Sequence, residues 1–412
     1  MNSRDRILAV IEGRPVDHTP LLFWCFGFPA PPGMQWQTNG QPVPFWYTKR
    51  LEHIHTLPHP WELADEFQRA EAWLSLGVDD LLEVSVPWGM APEIRYHDQR
   101  LPPGASGGDP RYPVLVREYE TPSGRLRHAV RQTGPEPEGW PVQPDYVPLF
   151  EDYNVPRAIQ HAVRSPKHVP MIRHLYRPPD QLQQGWFLER VAQMRPFALE
   201  RGLAVQAWSA FGMDAAVWLT GPEGAVMLAL DAPEAFRELM ETIAETDYVR
   251  TELAAAAEGV DIVCQRGWYS STDFWSPKLF DEYVYPYTAE LAALVHRYGK
   301  KFGYVVTTGL AKIGQRLADA GVDLLYYIDP VMDKISLETA RELFGGRTTV
   351  VGGTSAVSLA SGQPERIRRE VRSALDILGP TGRFILSATD ALFPDTPWEG
   401  VRQMIDVWKE SW

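Results

Sequence analysis

The chain has 412 residues, a formal net charge of −13 and 44% apolar residues. That length and composition give enough core for one large α/β barrel or two ordinary domains, and the acidic balance argues against a protein that grips nucleic acid by neutralising phosphates. Two cysteines, Cys25 and Cys264, leave no disulfide framework and fit a reduced, cytoplasmic setting. The opening MNSRDRILAVIEGRP reads as a short charged helix rather than a signal peptide, and no run of ~18 apolar residues supplies a membrane span.

Ser3 or Asp5 caps the first helix, which ends near Gly13. Thr19–Phe26 reads as a buried strand. Residues 27–48 form a loop rich in Pro, Gly, Trp and Phe, long enough to be functional or a lid. Trp61–Leu76 has helical periodicity and Val78–Val86 is the next strand. Residues 87–150 break the rhythm as an inserted excursion. Within them, residues 115–132 alternate like a hairpin turning at Pro122-Ser123-Gly124. Val169–Leu175 is expected as a short strand, Leu188–Arg201 as a helix and Leu203–Ser209 as a strand. Helices are expected over Gly221–Leu230 and Pro233–Glu258, then strands near 260–264, 301–306, 322–328, 348–352 and 383–388. Helices fall at 277–298, 310–320, 335–344 and 363–378, and a last one runs from Pro397 to about Lys409. Eight or nine strand–helix units predict a parallel sheet with helices outside, a (β/α)8 TIM-type barrel in a single domain. A doubly wound open sheet is the alternative. No GxGxxG or GxxxxGK[ST] occurs to hold a nucleotide phosphate.

Residues 259–310 carry the densest chemistry. The strand Val260–Cys264 ends in Gln265, Arg266, Trp268, Tyr269, Ser270, Ser271 and Asp273, and the strand Lys301–Val306 ends in Thr307, Thr308 and Gly309. In parallel α/β folds, sites are built at that strand end. The 15 Trp, 16 Tyr and 16 Phe are read either as loop anchors on the barrel or as the walls of a flat pocket for an aromatic or macrocyclic ligand.

Several segments in order resemble the uroporphyrinogen decarboxylase superfamily: the opening SRDRILAVIEGRPVDHTPLLFW, residues 75–84 (SLGVDDLLEV), the hairpin TPSGRL with PLFEDYNVPRAI, LTGPEGAVMLALDAPEAFRELM, WSPKLFDEYVYPYTAELAALVHRYGKK, and the tail from Val350 through the Pro-x-Thr-Pro start of the last helix. The middle segments are similar to its methyltransferase-like branch. The resemblance implies one of two chemistries: cofactor-free decarboxylation of porphyrinogen acetate groups, or methyl transfer from a corrinoid to a thiol or folate-like acceptor, commonly with zinc. It also implies a corrinoid-protein partner and a homodimer. The chain departs from both patterns. The decarboxylases' Arg-rich loop corresponds to FWCFGFPAPPGMQW, which has no Arg. Their catalytic Asp falls at Ser85-Val86-Pro87, their Tyr at about Val217 and their closing His at about Asp390. The zinc branch's His-x-Cys, at the end of its sixth strand, corresponds to Val306-Thr307-Thr308-Gly309, and its late Cys falls near Asp390. Threonine and valine do not make a zinc set.

Candidate catalytic residues are therefore Asp390 as an acid/base, Arg266 as a carboxylate or ring contact, and Glu83 as an inward-facing base with a raised pKa. Bland roles are an Asp cap for Asp390, a rim salt bridge for Arg266 and a paired structural carboxylate for Glu83. Candidate substrate contacts are Trp24, Trp268, Tyr269, Tyr304, Thr308, Asp329 and, within a basic cluster with Arg173 and Arg177, His174. No metal site is expected: His53, His55 and His59 lack ligand spacing, and Cys25 and Cys264 read as buried small hydrophobes. The expected enzyme acts on a small molecule, by methyl transfer involving a corrinoid or small methylated donor without the usual His-x-Cys zinc site, or as a decarboxylase or lyase on an anionic aromatic or tetrapyrrole-like substrate. A binding protein that kept the barrel and lost catalysis is the third reading.

Overall fold

The computed structural model describes residues 1–25, 28–38, 40–43, 45–46, 63–132 and 144–412. His53, His55 and His59, the start of the helix expected from Trp61, and parts of the 27–48 loop lie outside these residues. Strands β1 (Leu21–Leu22), β2 (Leu81–Ser85), β3 (Ala204–Ala210), β4 (Ile262–Arg266), β5 (Lys301–Val305), β6 (Leu324–Ile328), β7 (Thr349–Ser355) and β8 (Phe384–Thr389) make one sheet in the order β1-β8-β7-β6-β5-β4-β3-β2. Every pairing in it is parallel.

The strands read as continuous apolar runs because both faces are covered. Alternate residues sort into two cores. Leu22, Leu81, Ala204, Trp208, Ile262, Cys264, Val305, Leu324, Val351 and Ile385 form one inner cluster drawn from all eight strands. Val205, Val263, Phe302, Leu325, Val350 and Phe384 point the other way, into the large cluster shared with the helices. Gln206 on β3 and Tyr326 on β6, with two strands between them in the order, bond across the inner side at 2.6 Å, so the sheet is curled. β1 and β2 end the hydrogen-bonded order. Asp79, two residues before β2, accepts from Leu21 N–H at 3.4 Å and from Ser3 Oγ at 2.8 Å.

The first helix, α1 (Ser3–Ile11), adds Ile7, Val10 and Ile11 to the inner cluster. Its charged residues tie it to the starts of the strands. Arg4 bonds Asp261 at 2.7 Å, Arg6 bonds Asp79, and Glu12 meets Lys301 at 3.1 Å. The amphipathic opening is thus a plug for the N-terminal end of the sheet, leaving the C-terminal end for chemistry.

The excursion is a four-stranded antiparallel sheet of Arg95–Leu101, Val114–Thr121, Gly124–Arg131 and Ala158–Gln160. It reaches past residue 150. Its hairpin turns at Pro122-Ser123, with Thr121 paired to Gly124. Elsewhere the elements differ from expectation. Val169–Leu175 is a helix, not a strand: Val169, Ile172 and Leu175 are buried at three-residue spacing, with Pro170 in the first turn. With that segment helical, Lys301–Val305 is the fifth strand of the sheet; the comparison of residues 306–309 with the zinc motif does not depend on the count. Met213–Thr220 is an unexpected helix. All eight of its residues are buried, so no amphipathic stripe betrays it. The helix expected over 277–298 divides into Pro277–Tyr283 and Tyr285–Arg297, with Pro286 in the first turn of the second piece.

Candidate active site

The C-terminal ends of the strands carry a layer of stacked rings. Trp24, two residues past β1, lies 5.8 Å from Trp268 with planes 30° apart, and 6.3 Å from Tyr327 at 23°. Trp208 of β3 lies 6.2 Å from Trp268 at 27°. Tyr326 and Tyr327 both reach the inner side because the pairing of β6 slips between Tyr326 and Ile328. Trp24 and Trp268 are half-buried, so the layer is reachable from outside.

The indole edges rest on two carboxyls. Glu83, in mid-β2, faces the inner side and accepts from Trp208 Nε1 at 2.8 Å, from Gln206 Nε2 at 3.4 Å and from Trp24. Gln206 Oε1 accepts in turn from Tyr326 Oη at 2.6 Å. Burial raises the Glu83 pKa, against the pull of nearby Arg69 and these donors. Behind it, Arg69 donates to Asp80 at 2.5 Å and to Glu66 at 2.8 Å. Three buried carboxyls thus share one guanidinium, and burial pushes Asp80 up to about 7.

Asp390 follows β8. Its Oδ1 is shut off from solvent without a hydrogen-bond partner, while the Trp268 indole bonds the carboxyl. Burial, with Asp152 and Asp329 nearby, pushes it up to about 7 despite Arg266.

Arg266, at the end of β4, is fully buried. Its Nη2 donates to Asp152 at 2.7 Å and its Nε to Asp214 at 3.2 Å. The guanidinium sits 4.3 Å from the Trp268 ring centre and 4.8 Å from that of Trp218. The ring contact and the salt bridge expected of Arg266 are therefore present together. Asp214 also accepts from the Tyr269 N–H at 2.9 Å, and burial pushes it up to about 7 with Arg266 opposing. Asp152 accepts from Trp218 Nε1 at 2.9 Å. Sequence reading missed both aspartates. The only signal was that a buried arginine needs a counter-charge, and they lie 114 and 52 residues away along the chain.

The other expected contacts divide. Asp329 ends β6, but it is held in place: Oδ1 accepts from the Val331 and Met332 N–H groups, and Oδ2 from Ser355 Oγ at 3.1 Å. Thr308 bonds Ser271 at 2.8 Å. Tyr304 faces the helix layer rather than the inner side, with its hydroxyl 2.6 Å from Ser270 Oγ. His174 bonds Ser123 Oγ at 3.1 Å, on the hairpin, and its partners belong to that layer rather than to the strand-end group. Cys25 and Cys264 are buried, and burial raises both thiols.

The site does not fit the zinc ion that the methyltransferase branch commonly uses. Val306, Thr307, Thr308 and Gly309 offer no thiolate or imidazole. Among the described residues no group of three or more His, Cys, Asp or Glu is placed to hold a metal. No described helix is long and apolar enough to cross a membrane.

Comparison with known structures finds a methyltransferase from Methanosarcina mazei, 15% identical, covering 100% of this chain and 99% of that chain with a TM-score of 0.57. At that identity the likeness shows the fold. A D-psicose 3-epimerase (12% identity, 55% of this chain and 83% of that one, TM-score 0.30) and the muconate lactonizing enzyme from Pseudomonas putida (10%, 78% of each, TM-score 0.26) are too distant to inform the argument. No curated protein matches the sequence. The family model for uroporphyrinogen decarboxylase (URO-D) matches residues 150–411. With well over half of the sequence matched, this chain belongs to the uroporphyrinogen decarboxylase family.

Proposed function

We propose that this chain is a methyltransferase whose reaction takes place among Trp24, Trp268 and Asp390, on a closed (β/α)8 barrel with the excursion that starts at residue 87 as an insert. One observation carries the reading: two stacked, half-buried indoles, Trp24 and Trp268, the second bonded to the buried Asp390 carboxyl that burial pushes up to about 7. Ring faces attract a methyl group that bears positive charge. A base with a pKa near the working pH takes a proton from an acceptor most effectively. In the step, the acceptor's lone pair forms the new bond to the methyl carbon. The old donor–carbon bond breaks with its electrons left on the donor, and the acceptor's proton passes to the Asp390 carboxylate. The acceptor is a small-molecule thiol or folate-like group. Glu83, bonded to Trp24 and Trp208, positions the ring layer.

A corrinoid supplies a transferable methyl group when bound, and Trp24 and Trp268 would lie against its flat face. On this reading it arrives on a partner corrinoid protein in the cytoplasm, and the chain works as a homodimer. No zinc takes part. The test is to mix the protein with methylcobalamin and a panel of thiols and folates. The expected result is loss of the methylcobalamin spectrum together with a methylated acceptor seen by mass spectrometry. Absence of transfer to every acceptor contradicts the reading.

The lyase reading uses Asp390 as proton donor and Arg266 as anchor for a substrate carboxylate. Its support is the same raised Asp390. Against it, Arg266 would have to take a third carboxylate while already 2.7 Å from Asp152 and 3.2 Å from Asp214. Intact substrate affinity in Arg266→Ala would remove it. A non-catalytic binding protein has less support still, because strongly shifted carboxyls beside an accessible ring layer are what catalysis needs.

A further inference from the structure

A second groove lies outside the inner core, between helices Pro233–Ala256 and Tyr285–Arg297, with a volume of about 450 Å³. That is the size of a small-molecule site. Its floor is Gln265, the outward-facing neighbour of Arg266 on β4. Gln265 is 2% exposed and its Oε1 has no hydrogen-bond partner. A buried amide oxygen left without a donor is costly. Gly212 approaches the Gln265 amide closely: a Cβ there would stand 2.6 Å from Gln265 Nε2. The walls are apolar and aromatic, with Met240, Tyr283, Tyr287 and Leu291 among them. The rim carries Glu241, Glu245 and Glu290, and no Lys, Arg or His lines the groove. Asp247, the fourth acid, is spent on Tyr176 and on the Phe211 and Gly212 N–H groups.

We infer that this groove is a binding site for a small aromatic amine. Its neutral donor end meets Gln265, its flat body lies between the tyrosine and methionine walls, and its ammonium sits at the glutamate rim. The chemistry at each depth selects one part of that ligand: an unpaired acceptor at the floor, ring-compatible walls, and an excess of negative charge at the mouth, where the nearby Arg237, 6.0 Å from the Tyr283 ring centre, is already paired with Glu234 and Glu282. The site is separate from the strand-end ring layer and stands independently of the methyl-transfer reading.

Isothermal titration of the full chain with four matched probes tests it. Tyramine has the hydroxyl, ring and ammonium. 2-Phenylethylamine lacks the hydroxyl, 4-propylphenol lacks the charge, and 3-(4-hydroxyphenyl)propanoate reverses it. Tyramine is expected to bind saturably, at least tenfold tighter than the first two, with no detectable binding of the propanoate. Gln265→Leu should reduce tyramine to the level of phenylethylamine while leaving phenylethylamine unchanged. If that variant does not fold, the exposed-rim variant Glu241→Gln/Glu245→Gln/Glu290→Gln decides, and should abolish the preference for tyramine over 4-propylphenol. No saturable tyramine binding, equal binding of the propanoate, or binding indifferent to the substitutions would each overturn the assignment.

Discussion

Arg266 shows what a single residue can and cannot reveal in a sequence. Its place just past a strand marks it for the strand-end site, and it is there. Its partners could not be read, because Asp152 comes from the end of the inserted excursion and Asp214 from a helix with no polar face. Removing the guanidinium leaves two carboxylates uncompensated. We predict that Arg266→Met costs about 3–5 kcal/mol, measured by urea unfolding. The double variant Arg266→Met/Asp214→Asn should recover part of that loss, because one orphaned charge goes with it. Glu83 was legible in a different way. A glutamate in the middle of an apolar strand must be paired if it points inward, and the partners prove to be two indoles and an amide.

At the scale of elements, strands were legible where both faces are apolar, and helices where one face is. The failures have the same cause. Val169–Leu175 is too short to show a period and Met213–Thr220 too buried to show a stripe. The helix Gln181–Arg201 was expected only from Leu188, because its first two turns are mostly exposed and polar. Its start was nonetheless encoded. Asp180 accepts from the Gln183 N–H at 2.8 Å while Gln183 bonds back to the Asp180 N–H, a reciprocal cap that satisfies two end donors. Asp180→Ala should lower stability by about 1 kcal/mol, read as a shift in thermal midpoint without change in the native circular dichroism spectrum. The excursion was seen as a hairpin and is a sheet of four strands. Arg95–Leu101 is almost wholly exposed and mostly polar, so it lacks the alternation that marks a strand.

For the whole molecule, the eight parallel strands and their curl followed from the regular alternation of apolar runs and helices. The use of the two ends followed less directly. One end is stoppered by α1, while the other gathers rings and carboxyls from β1, β2, β3, β4, β6 and β8, contributors no local pattern could join. Gathering acids in a buried layer has a consequence for stability. Asp214 holds its proton to about pH 7 when folded but to about 3.9 when unfolded. Its contribution is therefore fully present below about pH 4 and is lost as pH rises to about 7. Raising the pH across that window should shift the stability of Asp214→Asn relative to the parent in favour of the variant, as measured by denaturation at pH 5 and pH 7.5. The same carboxyl chemistry at Asp390 is the centre of the proposed reaction. The most direct measurement is the pH dependence of kcat/KM for methyl transfer in the parent and in Asp390→Asn. The parent rate should rise through about pH 7 as Asp390 loses its proton, and the variant should lose about 10²–10⁴-fold and that rise while keeping its fold. An Asp390→Asn protein with the parent's rate and pH profile would contradict the account.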